Sequence, residues 1–333
     1  MSARATPSSA ARGVPLTWML RLGVSALVLF ALFRIVPVAQ VWSQAQRIAP
    51  PLWLGALGLF LVGHAAATVK WRLLIGHGVS FPQAFQAHLA GLAANLCLPG
   101  LGGGDVVRAA LVYRSAQDHS RLVVGSVADR MIDILGLLLF AVAGALLAVR
   151  PGQNDLAKLS WVLAGGIAAI AIAFPASLAI ERKLGNRAPR GRAGRVLAHA
   201  VGAAAYLVRR PGRLALCLAI SMAIQATFIG INIAFATAVQ VAAPIAAWFF
   251  AWSTAKIVAV APISLGGLGV REAVMASLLS GFGADPAQVI AIGLIWQTVL
   301  YASGLVGVAA QLIRNPEASR VARRTAEAAR RPS

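Results

Sequence analysis

The sequence predicts an all-α polytopic membrane protein with about six transmembrane helices and two re-entrant or broken helical hairpins, arranged as an inverted repeat. Three observations support this fold class. Of the 333 residues, 59% are hydrophobic and only 12% are charged, which is too little polar surface for a soluble domain. Six stretches are long and apolar enough to span a bilayer. One glycine-rich motif occurs twice.

The six predicted spans each hold about 20 mostly apolar residues, the length that a bilayer core requires. They are Leu16–Ala39, Leu52–Val69, Leu122–Val149, Trp161–Ile180, Leu214–Val239 and Val289–Ile313. Arg21 and Arg34 interrupt the first run and no small-residue cleavage site follows it, so we expect a retained helix rather than a signal peptide. Polar residues without charge, such as Gln225 and Gln297, are tolerated where helices pack together.

Two shorter apolar stretches, Ala84–Leu98 and Ile245–Ala261, run into proline and clustered glycines. Pro99 and Pro262 each begin a segment of the form P-x3-G-G-x2-V-R, and the two copies are 163 residues apart. Proline and clustered glycines break helices. Broken backbone at membrane depth requires surrounding protein or a watery cavity, so we interpret both segments as re-entrant hairpins or short helices broken at the motif.

Each copy of the motif follows two predicted spans and precedes one. Three crossings per half invert the second half relative to the first, and inverted repeats with broken helices are typical of transporters. Two unrelated helix-breaking loops are the alternative. The predicted division is an N-terminal tail (1–15), a first repeat (16–160, motif 99–108), a second repeat (161–313, basic loop 181–213, motif 262–272) and a basic tail (314–333).

The distribution of charge indicates the partner and the orientation. The net charge is +20, and most basic residues flank apolar stretches, as the positive-inside rule and anionic lipids require. No basic stretch is interleaved with stacking aromatics, which argues against nucleic acid. Counting Lys and Arg, with Lys70 and Arg72 assigned to an inner segment, predicts both termini on the cytoplasmic side of a bacterial-type inner membrane. Residues 196–208 are amphipathic and are expected on the inner leaflet.

Two arginines, Arg108 and Arg271, follow the glycine pairs at equal spacing. Guanidinium groups and helix N-terminal amides suit phosphate or carboxylate, and glycines allow close backbone approach. The arginines are therefore expected to contact an anionic headgroup, or alternatively to pin each hairpin through an ion pair such as Arg108–Asp129 or Arg271–Asp133. The candidate substrate-binding residues are Arg108, Arg271, Gly103, Gly104, Gly266, Gly267, Asn95 and Lys256.

Acidic residues at membrane depth are costly and usually mark a pathway. Asp129 and Asp133 share one helix face; they either share a proton or, as we favour, neutralise neighbouring arginines. Glu272 is either the partner of Arg271 or a proton carrier. The candidates for charge balance or proton coupling are Asp105, Asp129, Arg130, Asp133 and Glu272.

The remaining polar residues give weaker indications. Lys256 is the only lysine that the sequence places at depth, where it belongs to the site or extends to an interface. His64 is interpreted as a hydrogen-bonded packing residue, and Asn95 as a cap or a cavity-lining residue. Cys97 and Cys217 form no metal-binding spacing and no disulfide framework. The sequence has no Walker A loop, metal-ligand constellation or G-x-S-x-G elbow, so we expect no cofactor or metal.

Three strings resemble the hallmark blocks of the lysylphosphatidylglycerol synthase transmembrane, or flippase-like, family. They are LPGLGGGDVVRAALVYR (98–114), SVADRMIDILGLLLF (126–140) and APISLGGLGVREAVMASLL (261–279). The resemblance covers about residues 16–313, and the P-x-S-x-G-G-x-G-x-R-E run is its most specific part. In bifunctional members, such a region moves aminoacylated phosphatidylglycerol to the outer leaflet, and a separate C-terminal domain makes that lipid from aminoacyl-tRNA.

The resemblance implies translocation of membrane lipids with an anionic or lipid-linked headgroup. Stand-alone relatives are associated with polyprenyl-linked sugars, hopanoid lipids or cell-envelope glycolipids. The chain ends about 20 residues after its last predicted span, so we expect no synthase domain and transport rather than lysyl transfer. The alternatives are an intramembrane enzyme with Asp129 and Asp133 as its carboxylates, or a non-catalytic subunit that binds a synthase or glycosyltransferase.

Overall fold

The computed structural model describes residues 30, 34, 38–97, 103–149, 152, 154–184, 191–260 and 268–314, and all regular structure in these ranges is helical. Five helices are long and apolar enough to cross a membrane: α2 (Pro50–Ile75), α5 (His119–Ala148), α6 (Asn154–Leu184), α8 (Pro211–Ala238) and α11 (Pro286–Arg314). The shorter helices are α1 (Val38–Ala45), α3 (Phe81–Cys97), α4 (Gly103–Val112), α7 (Arg192–Val208), α9 (Ile245–Val260) and α10 (Val270–Ser280). The protein is therefore an all-α polytopic membrane protein, as predicted.

Five of the six predicted spans coincide with the five long helices to within one residue of lying inside them. The first predicted span lies almost entirely outside the described residues, as do both tails, Pro99 and residues 261–267. The two shorter apolar stretches form α3 and α9, of 17 and 16 residues. At 1.5 Å per residue such helices are only about 25 Å long, less than the ~30 Å hydrocarbon core.

The four helices α2 to α5 recur as α8 to α11. A shift of 163 residues places each helix of the first set on its counterpart to within five residues at either end. The two sets interlock, because α3 packs against α11 and α9 packs against α5. Both α3 and α9 thus pack against the last helix of the other set, and the interior of the bundle is built jointly by both halves.

The helix α9 is buried over most of its length, and its exposed residues, such as Ile245 and Val260, lie near its two ends. Trp248, Phe250 and Trp252 are almost completely buried, and the Trp252 ring packs edge-on against Trp296 of α11 with centroids 5.0 Å apart. A helix that is hydrophobic all round belongs in a protein interior or in a membrane. The helix following this one, α10, carries the second motif arginine into that interior.

The amphipathic segment of the basic loop forms α7. Its apolar face packs against α5 and α6, and Ala203, Ala205 and Leu207 are fully buried. Val196 and Leu197, near its start, are exposed. Part of the apolar face of α7, which was expected to contact lipid, is therefore covered by protein. The predicted contact with the inner leaflet is left to the exposed part of the helix.

Candidate functional site

Charged side chains of three helices meet in the interior between α2, α4 and α5. Three cations and three carboxylates pair with one another within 4 Å. These six residues, here called the ion cluster, are Lys70, Arg108, Arg130, Asp105, Asp129 and Asp133. Their formal charges cancel. Mutual neutralisation is the condition under which ionisable groups are tolerated inside a membrane protein.

Asp129 joins the two most deeply buried cations. Its carboxylate lies 3.1 Å from Lys70 Nζ and 2.7 Å from Arg108 Nη2, and each of these three side chains is at most 3% exposed. Lys70 also donates to Asp133, which accepts a second hydrogen bond of 2.5 Å from Ser221 Oγ. Because Ser221 lies on α8, the cluster connects the first set of helices to the second.

Arg108 has several other neighbours, although within the described part of the chain its buried Nε forms no hydrogen bond. Besides Asp129, its Nε lies 3.2 Å from Asp105 Oδ1, its Nη1 lies 3.4 Å from His88 Nδ1, and its guanidinium carbon lies 4.6 Å from the centre of the Trp71 ring. The Arg108–Asp129 pair is the internal ion pair that the sequence suggests beside a substrate contact. An anionic ligand at Arg108 would therefore replace contacts that already exist.

Arg130 lies on the accessible side of the cluster, with 51% of its side chain exposed. It forms an ion pair with Asp105, and its Nη1 lies 3.7 Å from Asp133. The cluster is thus closed at Asp129 and open towards Arg130, which gives it one accessible edge.

Arg271, the second motif arginine, is held by its neighbour in sequence. Its Nε lies 3.1 Å from Glu272 Oε1, and its Nη2 donates to Gln297 Oε1 of α11 at 3.2 Å. Glu272 is fully buried, and its other oxygen accepts the Gly269 N–H at 2.8 Å. Asp133 bonds to Lys70 and Arg130 instead, so the suggested Arg271–Asp133 pair does not form among these described residues.

The motif glycine at 104 has a packing role. Its N–H donates to Asn95 Oδ1 at 3.0 Å, so Asn95 caps the segment, and a Cβ at this position would lie 2.4 Å from the Gly91 carbonyl oxygen. Glycine therefore lets α4 approach α3 closely, which explains this residue without a ligand. Gly103 begins α4, and the candidates Gly266 and Gly267 lie outside the described residues.

Lys256 differs from the motif arginines in its partners. Its ammonium donates to Gln225 Oε1 at 2.9 Å and lies 5.5 Å from the centre of the Phe228 ring. Within the described ranges it pairs with no carboxylate. Gln225 is one helical turn from Ser221, which places Lys256 beside the ion cluster. Lys256 can therefore bind an anion without giving up an ion pair.

Lys70 and His88 are not among the site residues predicted from the sequence. Lys70 was expected in a segment between spans, but it lies inside α2 and its side chain is 1% exposed. Lys256 is thus not the only lysine at depth. The available signal was the large apolar residues that follow Lys70, namely Trp71, Leu73, Leu74 and Ile75, interrupted by Arg72. His88 of α3 lies 2.8 Å from His64, Nε2 to Nδ1, so His64 is hydrogen-bonded as expected.

Comparison with known proteins identifies the chain by family. The model of the family described as lysylphosphatidylglycerol synthase TM region matches residues 18–307, a range that includes the ion cluster and both motif arginines. The match confirms the resemblance of the three motif strings. No curated protein gives a significant match to the chain.

Proposed function

This chain belongs to the lysylphosphatidylglycerol synthase TM region family, and from that premise we propose that it translocates a phospholipid or lipid-linked headgroup between the leaflets of a membrane. Membership indicates a multi-pass membrane protein of lipid metabolism. The observation that carries the proposal further is Lys256, a partly buried cation without a described carboxylate partner, placed beside a neutral ion cluster. The single negative charge of one phosphodiester would neutralise the positive charge of Lys256.

The headgroup would contact Lys256 first and the motif arginines afterwards. Arg108 and Arg271 each bind buried carboxylates that a phosphate can replace, and guanidinium binds phosphate through two parallel hydrogen bonds. The carboxylates would then pair with Lys70 and Arg130, or would bind the two arginines again once the headgroup has left. These carboxylates are Asp105, Asp129, Asp133 and Glu272. The acyl chains would stay in the bilayer while the headgroup passes.

The two helix pairs α3–α4 and α9–α10 supply the moving parts of this proposal. Each would be a re-entrant hairpin that opens the site to one side of the membrane, with both termini cytoplasmic in a bacterial-type inner membrane. Their interlocking contacts with α11 and α5 couple the two halves, so that opening on one side favours closure on the other.

The test is a leaflet-exchange assay with purified protein in liposomes. The liposomes carry acyl-labelled phosphatidylglycerol, lysylphosphatidylglycerol or a polyprenyl phosphate, and dithionite quenches the label in the outer leaflet. Wild-type protein is expected to accelerate exchange of one class. Lys256→Gln is expected to lower that rate about ten-fold or more, because a charge-assisted hydrogen bond contributes about 1.5–3 kcal/mol.

Folding of the Lys256→Gln variant should be unchanged, because removing the Lys256 ammonium group leaves no described carboxylate without an ion-pair partner. Lys158→Gln is the matched control, since Lys158 is exposed and forms an ion pair with the exposed Asp155. Equal exchange by wild type, Lys256→Gln and empty liposomes would refute translocation of these lipids. A change in lipid mass would instead favour an intramembrane enzyme, and retention of function in Lys256→Gln but not in basic-loop variants would favour a non-catalytic subunit.

A further inference from the structure

We propose that His64 and His88 form a proton-binding site coupled to Arg108, so that an anionic lipid moves together with one proton. The inference rests on the proposed translocation and names its driving ion. The pair links α2 to α3, and neither histidine is among the candidates for charge balance or proton coupling that the sequence suggests.

The contacts of the two histidines form one chain. His88 Nε2 lies 2.8 Å from His64 Nδ1, and His88 Nδ1 lies 3.4 Å from Arg108 Nη1. His88 is 7% exposed. Phe60 packs edge-on against the His64 ring with centroids 4.4 Å apart. Arg108 is therefore in contact with a shielded pair of imidazoles.

The arginine determines which nitrogens carry protons. A guanidinium only donates hydrogen bonds and does not deprotonate in proteins, so His88 Nδ1 must present its lone pair to Arg108. The proton of neutral His88 is then on Nε2, where it is donated to His64 Nδ1. His64 in turn carries its proton on Nε2. With two protons on four nitrogens, every contact in the chain is satisfied.

A third proton has only one place to go. The His64–His88 hydrogen bond holds one proton between its two nitrogens, and His64 Nε2 already carries one. The added proton must therefore be at His88 Nδ1, whichever ring carries the charge, and there it opposes the N–H of Arg108. Uptake of one proton thus separates Arg108 from His88 and leaves the arginine able to turn towards a new anion.

The surrounding charges couple this step to the lipid. The charged groups near the pair are Lys70 of α2, Arg108 of α4, Arg130 and Asp133 of α5 and Lys256 of α9, with Asp105 and Asp129 on the far side of Arg108. From α8, the uncharged Phe228 ring lies 5.8 Å from the His64 ring, and on α11 the uncharged Gln311 donates to the Gln86 carbonyl oxygen of α3. Four of these charged groups are cations and three are carboxylates. The net positive charge disfavours an extra proton on the histidines until an anion binds.

A lipid phosphate beside Lys256 and Arg108 supplies that anion. It lowers the electrostatic cost of the added proton, and by thermodynamic reciprocity the proton strengthens phosphate binding to the same extent. The phosphodiester charge and the proton cancel, so the pair crosses the bilayer without net charge. The carboxylates of the ion cluster are less suited to this role, because each already forms an ion pair with a cation.

The first experiment imposes a pH gradient on proteoliposomes at zero membrane potential. Wild-type protein is expected to enrich the transported anionic lipid on the side towards which protons flow, by at most about ten-fold per pH unit for one proton per lipid. His88→Gln and His64→Gln are expected to abolish this enrichment. His199→Gln, at an exposed position of α7, is the matched control and should retain it.

Failure of the inference and failure of the proposed function give different results. Lipid movement by wild type with equal leaflet distributions, with and without the gradient, would overturn proton coupling and leave translocation intact. If wild type moves no lipid, translocation fails and a second measurement decides the inference. In ¹⁵N-imidazole NMR spectra of the full chain in detergent, His64 and His88 are expected as Nε2–H tautomers that take up one proton jointly. An Nδ1–H tautomer at His88, or independent protonation of both rings, would overturn it.

Discussion

Replacing Asp129 with asparagine is expected to lower the free energy of unfolding by about 3–5 kcal/mol, because it leaves two buried cations without their shared partner. Lys70 and Arg108 both bind this carboxylate, and none of the three side chains is more than 3% exposed. Asparagine keeps the volume and removes the charge, so packing changes contribute little. The measurement is thermal unfolding of the detergent-solubilised protein, followed by tryptophan fluorescence.

Asp155→Asn is the matched control, since the Asp155 side chain is 96% exposed and pairs with an exposed lysine. Its effect should stay within about 0.5 kcal/mol. The double variant Lys70→Met with Asp129→Asn removes one charge of each sign and should recover part of the loss, which measures their coupling. Equal melting temperatures for Asp129→Asn and Asp155→Asn would contradict the ion cluster as a stabilising unit.

The long helices were predictable because an apolar run of about 20 residues is long enough to cross a bilayer as a helix. The helix α2 begins two residues before its predicted span and ends six residues after it, and α6 begins seven residues before its span and ends four after it. The hydrophobic pattern identifies the apolar part, whereas caps and packing fix the ends. The first span follows the same logic and stays a prediction.

The ion cluster was only partly predictable. The pairing of Arg108 with Asp129 and of Arg271 with Glu272 was foreseen as an alternative, because charges at membrane depth must find partners. Lys70 was not, since its position near the end of an apolar run suits a loop as well as an interior. Its burial follows from the way α2 lies against α5, a tertiary contact that no local pattern encodes. The same holds for His88, whose role depends on where α3 places it relative to α2 and α4.

The interlocking of the two halves predicts a matched pair of destabilising substitutions. Gly144 of α5 and Gly307 of α11 are 163 residues apart, like the two motifs. A Cβ at Gly144 would lie 2.5 Å from the Phe250 nitrogen of α9, and one at Gly307 would lie 2.2 Å from the Leu89 carbonyl oxygen of α3. Because backbone cannot move aside as a flexible side chain can, the helices must separate.

Gly144→Ala and Gly307→Ala are each expected to cost about 1–3 kcal/mol of unfolding free energy, the usual penalty for overpacking. The control is Gly165→Ala in α6, where a Cβ meets nothing within 4 Å and alanine should stabilise the helix by up to about 1 kcal/mol. Thermal unfolding of the three variants compares them directly. If Gly307→Ala behaved like Gly165→Ala, α3 would not be closely packed on α11. Similar losses at Gly144 and Gly307 would show that both hairpin helices are held by the opposite half, which is the contact that would transmit opening from one side of the site to the other.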